Sequence, residues 1–357
     1  MSYPQQASRN AYCGHNQKRN LHHMNPLIYV ALSRGVLHEL EFASYLPHLE
    51  ALADVRIWDG AGNTSQQALT DACASAQVLI TGWGVPFLEQ LNSWTLDNSP
   101  LRLVMHSAGT VKQLVPVDSI TRGLQVSRAN DSLAESVAEF TVGAIIMARR
   151  NAFAAANRYR HGQPLLAITS QRELKGSTVG IIGASAIGRR VMQLLQPFGV
   201  TILLADPYAT PAIASAHGAT LTDLDTLLSQ SDIVSLHAPV TEQTIGMLGA
   251  AQFAAMQNGA LFVNTARARL IDSNALLSEL QTGRISAVID VTEPHEPLPV
   301  DSPFFQLENC VVLPHMAAVT RDARLRQSQI VIDEITRFLT NQPLHYAVGT
   351  ERWDVMA

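Results

Sequence analysis

The chain has 357 residues, 47% of them hydrophobic and 15% charged, with a formal net charge of −5. That length suits two domains with separate cores, and the composition suits a compact fold rather than disorder. The charge balance gives no electrostatic reason for nucleic-acid binding, and the best apolar run, 140–148, is far too short to span a membrane. Cys13, Cys73 and Cys310 form neither a metal spacing nor a disulfide framework, so a reducing cytoplasm is expected and a metal is not.

Residues 1–25 contain no acid and are rich in Asn, Gln, His and Arg. They lack both the amphipathic face of an organellar address and the apolar core of a secretory signal. They read as a disordered extension, with Met24 as an alternative start and His15, His22 and His23 as solvated side chains. From Leu27 onward, apolar runs alternate with helical patterns, the mark of parallel α/β architecture. Strands are predicted at 27–32, 78–81, 103–106 and 124–127. A helix follows, with Ser132 and Glu135 at capping-box spacing. Val137, Phe140, Thr141, Ala144 and Ile145 recur at helical intervals, which predicts one buried face. Arg149 and Arg150 close the helix favourably for its dipole, and it is read as a bridge between domains.

The segment VGIIGASAIG at 179–188 reads as strand, glycine turn and helix start, and a second strand at 201–205 ends at Asp206. Pyrophosphate needs bare backbone N–H groups at a helix N-terminus, so the turn must carry little side chain. Gly183 supplies the tight turn, Gly188 the close helix–strand approach, and Ser185, Ala186 and Ile187 the intervening amides. Asp206 stands where a carboxylate accepts hydrogen bonds from the adenosine ribose, which favours NAD over NADP. Ser185 occupies the position usual for a middle glycine. An ordinary strand–turn–helix is the competing account of the segment.

Later strands are predicted at 232–236, 261–263, 287–290 and 311–313. They end at His237-Ala238-Pro239, Asn264-Thr265-Ala266-Arg267, Asp290 and Pro314-His315. Ligands of open α/β sheets bind beyond the carboxyl ends of strands, so these polar ends point to one crevice. Three residues there suit carbonyl reduction. Histidine is a proton donor of suitable pKa for a developing alkoxide. A neighbouring carboxylate favours its protonated form. Arginine binds a carboxylate through two parallel hydrogen bonds. Arg267, Glu296 and His315 are the candidates, although each separately also fits an ordinary ion pair, loop carboxylate or satisfied histidine.

The series VGIIGASAIG at 179–188, SDIVSLHAP at 231–239, NGALFVNTARARLID at 258–272, AVIDVTEPHEPLP at 287–299 and VVLPHMA at 311–317 resembles the D-isomer-specific 2-hydroxyacid dehydrogenases. The resemblance implies two Rossmann-like parallel-sheet domains of α/β class. The substrate domain would be discontinuous (26–129 and 319–357) around an NAD-binding domain at 130–318. It implies that Arg267 holds substrate, His315 is the acid/base and Glu296 its partner. Asp290 would contact the nicotinamide amide, while Thr265, His237 and Pro239 line the cofactor crevice. The turn Ser107-Ala108-Gly109 would receive the substrate carboxylate on backbone N–H groups, with Ala108 and Gly109 as the binding residues. Trp83 and Val85 either shape the substrate side or pack in the core.

Two departures stand out. Ala268 replaces a usual glycine, and His295 lengthens the segment before Glu296, which makes Glu293 a rival carboxylate. Glu296 is preferred because Glu296-Pro297-Leu298 keeps the local pattern. The expected function is hydride transfer between NAD(H) and a 2-oxo acid/R-2-hydroxy acid pair, by a homodimer with no nucleic-acid or membrane partner. The alternative is an NAD-responsive binding protein of the corepressor type. A formate dehydrogenase is disfavoured because that branch carries glutamine at the carboxylate position.

Overall fold

The computed structural model describes residues 25–60, 62–164, 167, 170–351 and 353. The extension expected at 1–25 lies, but for Asn25, outside the described residues. Strands β1 (Leu27–Val30), β2 (Asp54–Ile57), β3 (Val78–Thr81), β4 (Leu103–His106) and β5 (Gln125–Arg128) form a five-stranded sheet in the order β2-β1-β3-β4-β5. A seven-stranded sheet contains β6 (Thr178–Ile182), β7 (Thr201–Ala205), β8 (Ala219–Leu221), β9 (Ile233–Leu236), β10 (Leu261–Asn264), β11 (Ser286–Ile289) and β12 (Cys310–Val312). Its order is β12-β11-β10-β9-β6-β7-β8. The pairings within both sheets are parallel.

The connecting helices are α1 (Arg34–Glu39), α2 (Leu46–Glu50), α3 (Gln66–Ser75), α4 (Val117–Thr121), α5 (Ala134–Arg149) and α6 (Ala152–Arg160). They continue as α7 (Ala186–Leu195), α8 (Pro211–Ala216), α9 (Leu224–Gln230), α10 (Ala250–Ala255), α11 (Ser273–Gln281) and α12 (Arg321–Leu339). Central strands such as β3 (VLIT) and β10 (LFVN) are buried along their whole length, as parallel strands covered on both faces must be. The two strands that no apolar run announced, β2 and β8, are sheet edges that remain partly exposed.

Two helices join the sheets. Ala138, Val142 and Ile145 of α5 pack with Val179, Ile181 and Ile202 of the larger sheet. Val331, Ile332 and Ile335 of α12 pack with Ile28, Val30 and Ile80 of the smaller one. The start of α5 departs from the predicted capping box. Residues Asn130–Leu133 form a 3₁₀ turn, so Ser132 lacks the extended backbone of an N-cap and its hydroxyl donates to the Ala129 carbonyl (2.6 Å). Glu135 instead grips Arg190 of α7 at 2.6 and 2.8 Å. Among the described residues no helix is long and apolar enough to cross a membrane.

Glu334 of α12 is the polar anchor of this return. Its buried carboxylate accepts from the Ser127 hydroxyl (2.6 Å) and from the His345 and Tyr346 amides (2.9 and 3.0 Å). Glu334→Ala strands those donors and is expected to cost about 3 kcal/mol in chemical denaturation. A loss below about 0.5 kcal/mol, the scale of an ordinary surface change, contradicts the anchoring role.

Candidate active site

The strand order reverses at β6, which lies between β7 and β9, and the glycine turn leaves the sheet at that point. Gly183 has φ +99°, a left-handed conformation, and a Cβ there would meet the Ala238 backbone N at 2.6 Å. A Cβ on Gly188 would meet the Gly183 carbonyl oxygen at 2.1 Å. Both positions therefore require glycine. Ser185 is the N-cap of α7, and its Oγ accepts from the Gly188 amide at 3.2 Å. Its side chain thus turns back onto the helix, which explains how serine replaces glycine there. Among the described residues, the Ala186 and Ile187 amides donate to no backbone carbonyl. Asp206 braces the same turn: Oδ2 accepts from the Ala184 amide (2.6 Å) and Oδ1 from the Tyr208 amide (2.7 Å).

Because the strands are parallel, the ends of β12, β11, β10, β9 and β6 stand side by side. His237, at the end of β9, is 3% exposed. Its Nε2 shares a hydrogen bond with the Ser235 hydroxyl (2.8 Å), while its Nδ1 is buried with no hydrogen-bond partner among the described residues. Pro239 follows, its carbonyl accepting from Thr244 Oγ1 at 2.7 Å. Beyond β10, the Thr265 hydroxyl is linked to that of Thr141 on α5 (2.8 Å). Asp290, after β11, is 1% exposed, and its two oxygens accept from the Met316 and Ala317 amides, each at 2.9 Å. Burial raises its pKa, and the two backbone bonds oppose that.

His315 lies just beyond the end of β12. Its φ is +55°, a left-handed backbone rare outside glycine, and Nδ1 lies 2.9 Å from Glu296 Oε2. Glu296 Oε1 accepts from the Thr292 amide at 3.2 Å. The rival Glu293 pairs with Arg269 at 3.6 Å. Arg267 is exposed, yet its surroundings lower its guanidinium pKa by desolvation, with the Glu296 charge opposing. Its Nη1 donates to the Ala266 carbonyl at 2.6 Å. The structure therefore gathers Arg267, Glu296 and His315, and leaves Glu293 aside.

On the other sheet, Thr81 and His106 are register partners, and the Ser107–Gly109 turn follows. Among the described residues, the Ala108 and Gly109 amides donate to no backbone carbonyl. This turn has no hydrogen bond to Arg267 or His315 there; its tie to the site runs through α12, where Gln327 donates to the Ser107 carbonyl at 2.8 Å. Of the two residues left between cleft and core, Val85 packs against the core, whereas Trp83 is 38% exposed beneath Arg324.

The profile described as D-isomer specific 2-hydroxyacid dehydrogenase, NAD binding domain, matches residues 142–317. A glyoxylate reductase of Aeropyrum pernix is 31% identical over 309 residues, covering 83% of this chain and 90% of that protein. The chain belongs to the D-isomer-specific 2-hydroxyacid dehydrogenases. A D-3-phosphoglycerate dehydrogenase of Archaeoglobus fulgidus is 32% identical over 248 residues, 69% of this chain, which spans only 47% of that relative. Among solved structures, D-lactate dehydrogenase with NAD+ from Lactobacillus jensenii shares the fold at a TM-score of 0.76 and 21% identity, covering 90% of this chain and 99% of that one. The names of these relatives do not favour the corepressor alternative.

Residues 142–317 thus match the family's NAD-binding domain. The structure fits that cofactor: side-chain-free approaches at Gly183 and Gly188 and a capped helix N-terminus form a cradle that any Cβ would fill. Nothing in the sequence marks Arg324 and Gln327, because a polar residue on a helix reads as solvent-facing until tertiary contacts enclose it.

Two buried histidines give this site a pH signature. Burial lowers His237 to about 3, and burial followed by the Arg128 charge lowers His106 to about 4, from an ordinary 6.5. Their folded pKa values lie below the unfolded ones, so stability is complete above pH 6.5 and is lost as pH falls toward 4. Each histidine contributes a slope approaching about 1.4 kcal/mol per pH unit in that window. Chemical denaturation at pH 7 and 5 checks this, and equal stabilities contradict it.

Proposed function

We propose that this chain reduces a 2-oxo acid to the R-2-hydroxy acid with NADH and catalyses the reverse oxidation. The observation carrying this reading is the His315 Nδ1 to Glu296 Oε2 contact of 2.9 Å beside the partly desolvated Arg267. NADH, when bound, supplies the hydride taken up by the substrate carbonyl carbon. His315, anchored through Nδ1, keeps its other ring nitrogen for the proton that the carbonyl oxygen gains. Glu296 favours the protonated ring and fixes its orientation. Arg267 pairs with the substrate carboxylate and polarises the neighbouring carbonyl, an effect strengthened where water is partly excluded. Ala108 and Gly109 offer backbone N–H groups to the same carboxylate.

Gly183, Ser185, Ala186, Ile187 and Gly188 would hold the pyrophosphate and Asp206 the adenosine ribose. His237, Pro239, Thr265 and Asp290 would line the nicotinamide side. Residues 26–129 with 319–357 act as the substrate domain and 130–318 as the cofactor domain. The same reading includes a homodimer working in the cytoplasm. Related proteins named for glyoxylate, lactate and phosphoglycerate define the first compounds to assay.

The test is NADH oxidation with a panel of 2-oxo acids beginning with glyoxylate and pyruvate. His315→Asn is expected to lower kcat by about 10²–10⁴-fold. Glu296→Gln should lower it in the same direction, whereas Glu293→Gln leaves it near wild type. Undiminished turnover by His315→Asn, or no turnover by the wild type with any 2-oxo acid, contradicts the proposal.

A further inference from the structure

Gln327 is fully buried on α12, and both ends of its amide are engaged. Nε2 donates to the Ser107 carbonyl at 2.8 Å, and Oε1 accepts from Arg324 Nη1 at 2.9 Å. Arg324, one turn earlier, has a side chain only 11% exposed, with its Nε 3.5 Å from Glu39 Oε2. Its guanidinium carbon lies 4.3 Å from the centroid of the Trp83 ring. Trp83 follows Gly82, where a Cβ would come 2.7 Å from Ser107 Oγ. Trp83, Arg324, Gln327 and Ser107 therefore close a circuit from the loop after β3, through α12, to the turn after β4.

The Ser107 carbonyl and the Ala108 N–H belong to one planar peptide unit. A hydrogen bond that fixes the carbonyl also fixes the direction of that N–H and, by polarising the amide, makes it a stronger donor. Arg324 acts likewise on the Gln327 amide. The result is a chain of aligned dipoles leading from a partly buried cation, through two amides, to the N–H at the substrate turn. We propose that Gln327 is a positioning residue that orients and polarises the Ala108 N–H for the substrate carboxylate, with Arg324, held by Trp83 and Glu39, as the charge that drives it. This inference rests on the reading that Ala108 and Gly109 receive that carboxylate.

The test compares wild type with Gln327→Glu, Gln327→Met and Arg324→Met. The first variant loses the donor to Ser107 but keeps an acceptor for Arg324, the second loses both contacts, and the third removes the driving charge with its contacts to Trp83 and Glu39 while keeping the Gln327 donor to Ser107. Readouts are the Kd of oxamate (an unreactive 2-oxo acid analogue) with NADH present, the KM for a 2-oxo acid, the KM for NADH, and kcat. Both Gln327 variants are expected to raise the oxamate Kd and the 2-oxo acid KM about tenfold, the scale of one hydrogen bond. Arg324→Met is expected to raise them about threefold. The KM for NADH and kcat should stay within about twofold, a split that general loosening of the fold does not produce.

If folded Gln327→Glu binds oxamate like wild type, or if NADH affinity falls equally, the positioning role is wrong while the catalytic reading stands. Wild type that neither binds oxamate nor turns over any 2-oxo acid overturns the underlying reading and this inference with it. If the Gln327 variants fail to fold, Arg324→Met decides: an unchanged oxamate Kd overturns the proposal.

Discussion

The hydrogen bonds that a buried Asp290 accepts from the Met316 and Ala317 amides are the constraint on which the rest of the site depends. A carboxylate held away from water needs such donors, and charge-assisted bonds to backbone are strong and directional. By fixing the two residues after His315, they hold that residue in its left-handed conformation and deliver its ring to Glu296. They also set the point from which the chain leaves the larger sheet for α12. The catalytic candidate and the connection between the sheets thus share one anchor.

Parallel topology turns that local anchor into a site. With β12, β11, β10, β9 and β6 adjacent and running the same way, their carboxyl ends place His315, Asp290, Thr265, His237 and Gly183 along one edge. Neighbouring strands are separated by about 4.8 Å, so the row spans the length of an extended ligand. Helix α12 then reaches the other sheet, where Gln327 engages Ser107 and Glu334 engages Ser127. Each contact joins a polar atom of α12 to the end of a strand in the smaller sheet, so the helix couples the two halves through directed bonds as well as apolar packing.

Much of this was legible in the sequence because backbone geometry leaves marks on residue choice. Gly183 and Gly188 stand where any Cβ collides, and Asp206 ends the next strand. The central strands are readable because burial on both faces demands continuous apolar runs, whereas β2 (DVRI) and β8 (ATL) lie at edges and carry no such run. The Ser132 to Glu135 spacing misled because a 3₁₀ turn removed the backbone conformation that a cap needs. The Glu296-Pro297-Leu298 pattern prefers Glu296 to the rival Glu293, and the structure places Glu293 beside Arg269 and Glu296 beside His315. Gln327, Arg324 and Glu334 left no trace, since their partners Ser107, Trp83 and Ser127 lie more than two hundred residues away in sequence.

The most direct measurement is a crystal structure of the protein with NADH and oxamate bound together. The account predicts the free ring nitrogen of His315 within about 3 Å of the oxamate carbonyl oxygen, with Arg267 on its carboxylate. Oxamate seated away from His315 and Arg267, or an imidazole turned off Glu296, would contradict it.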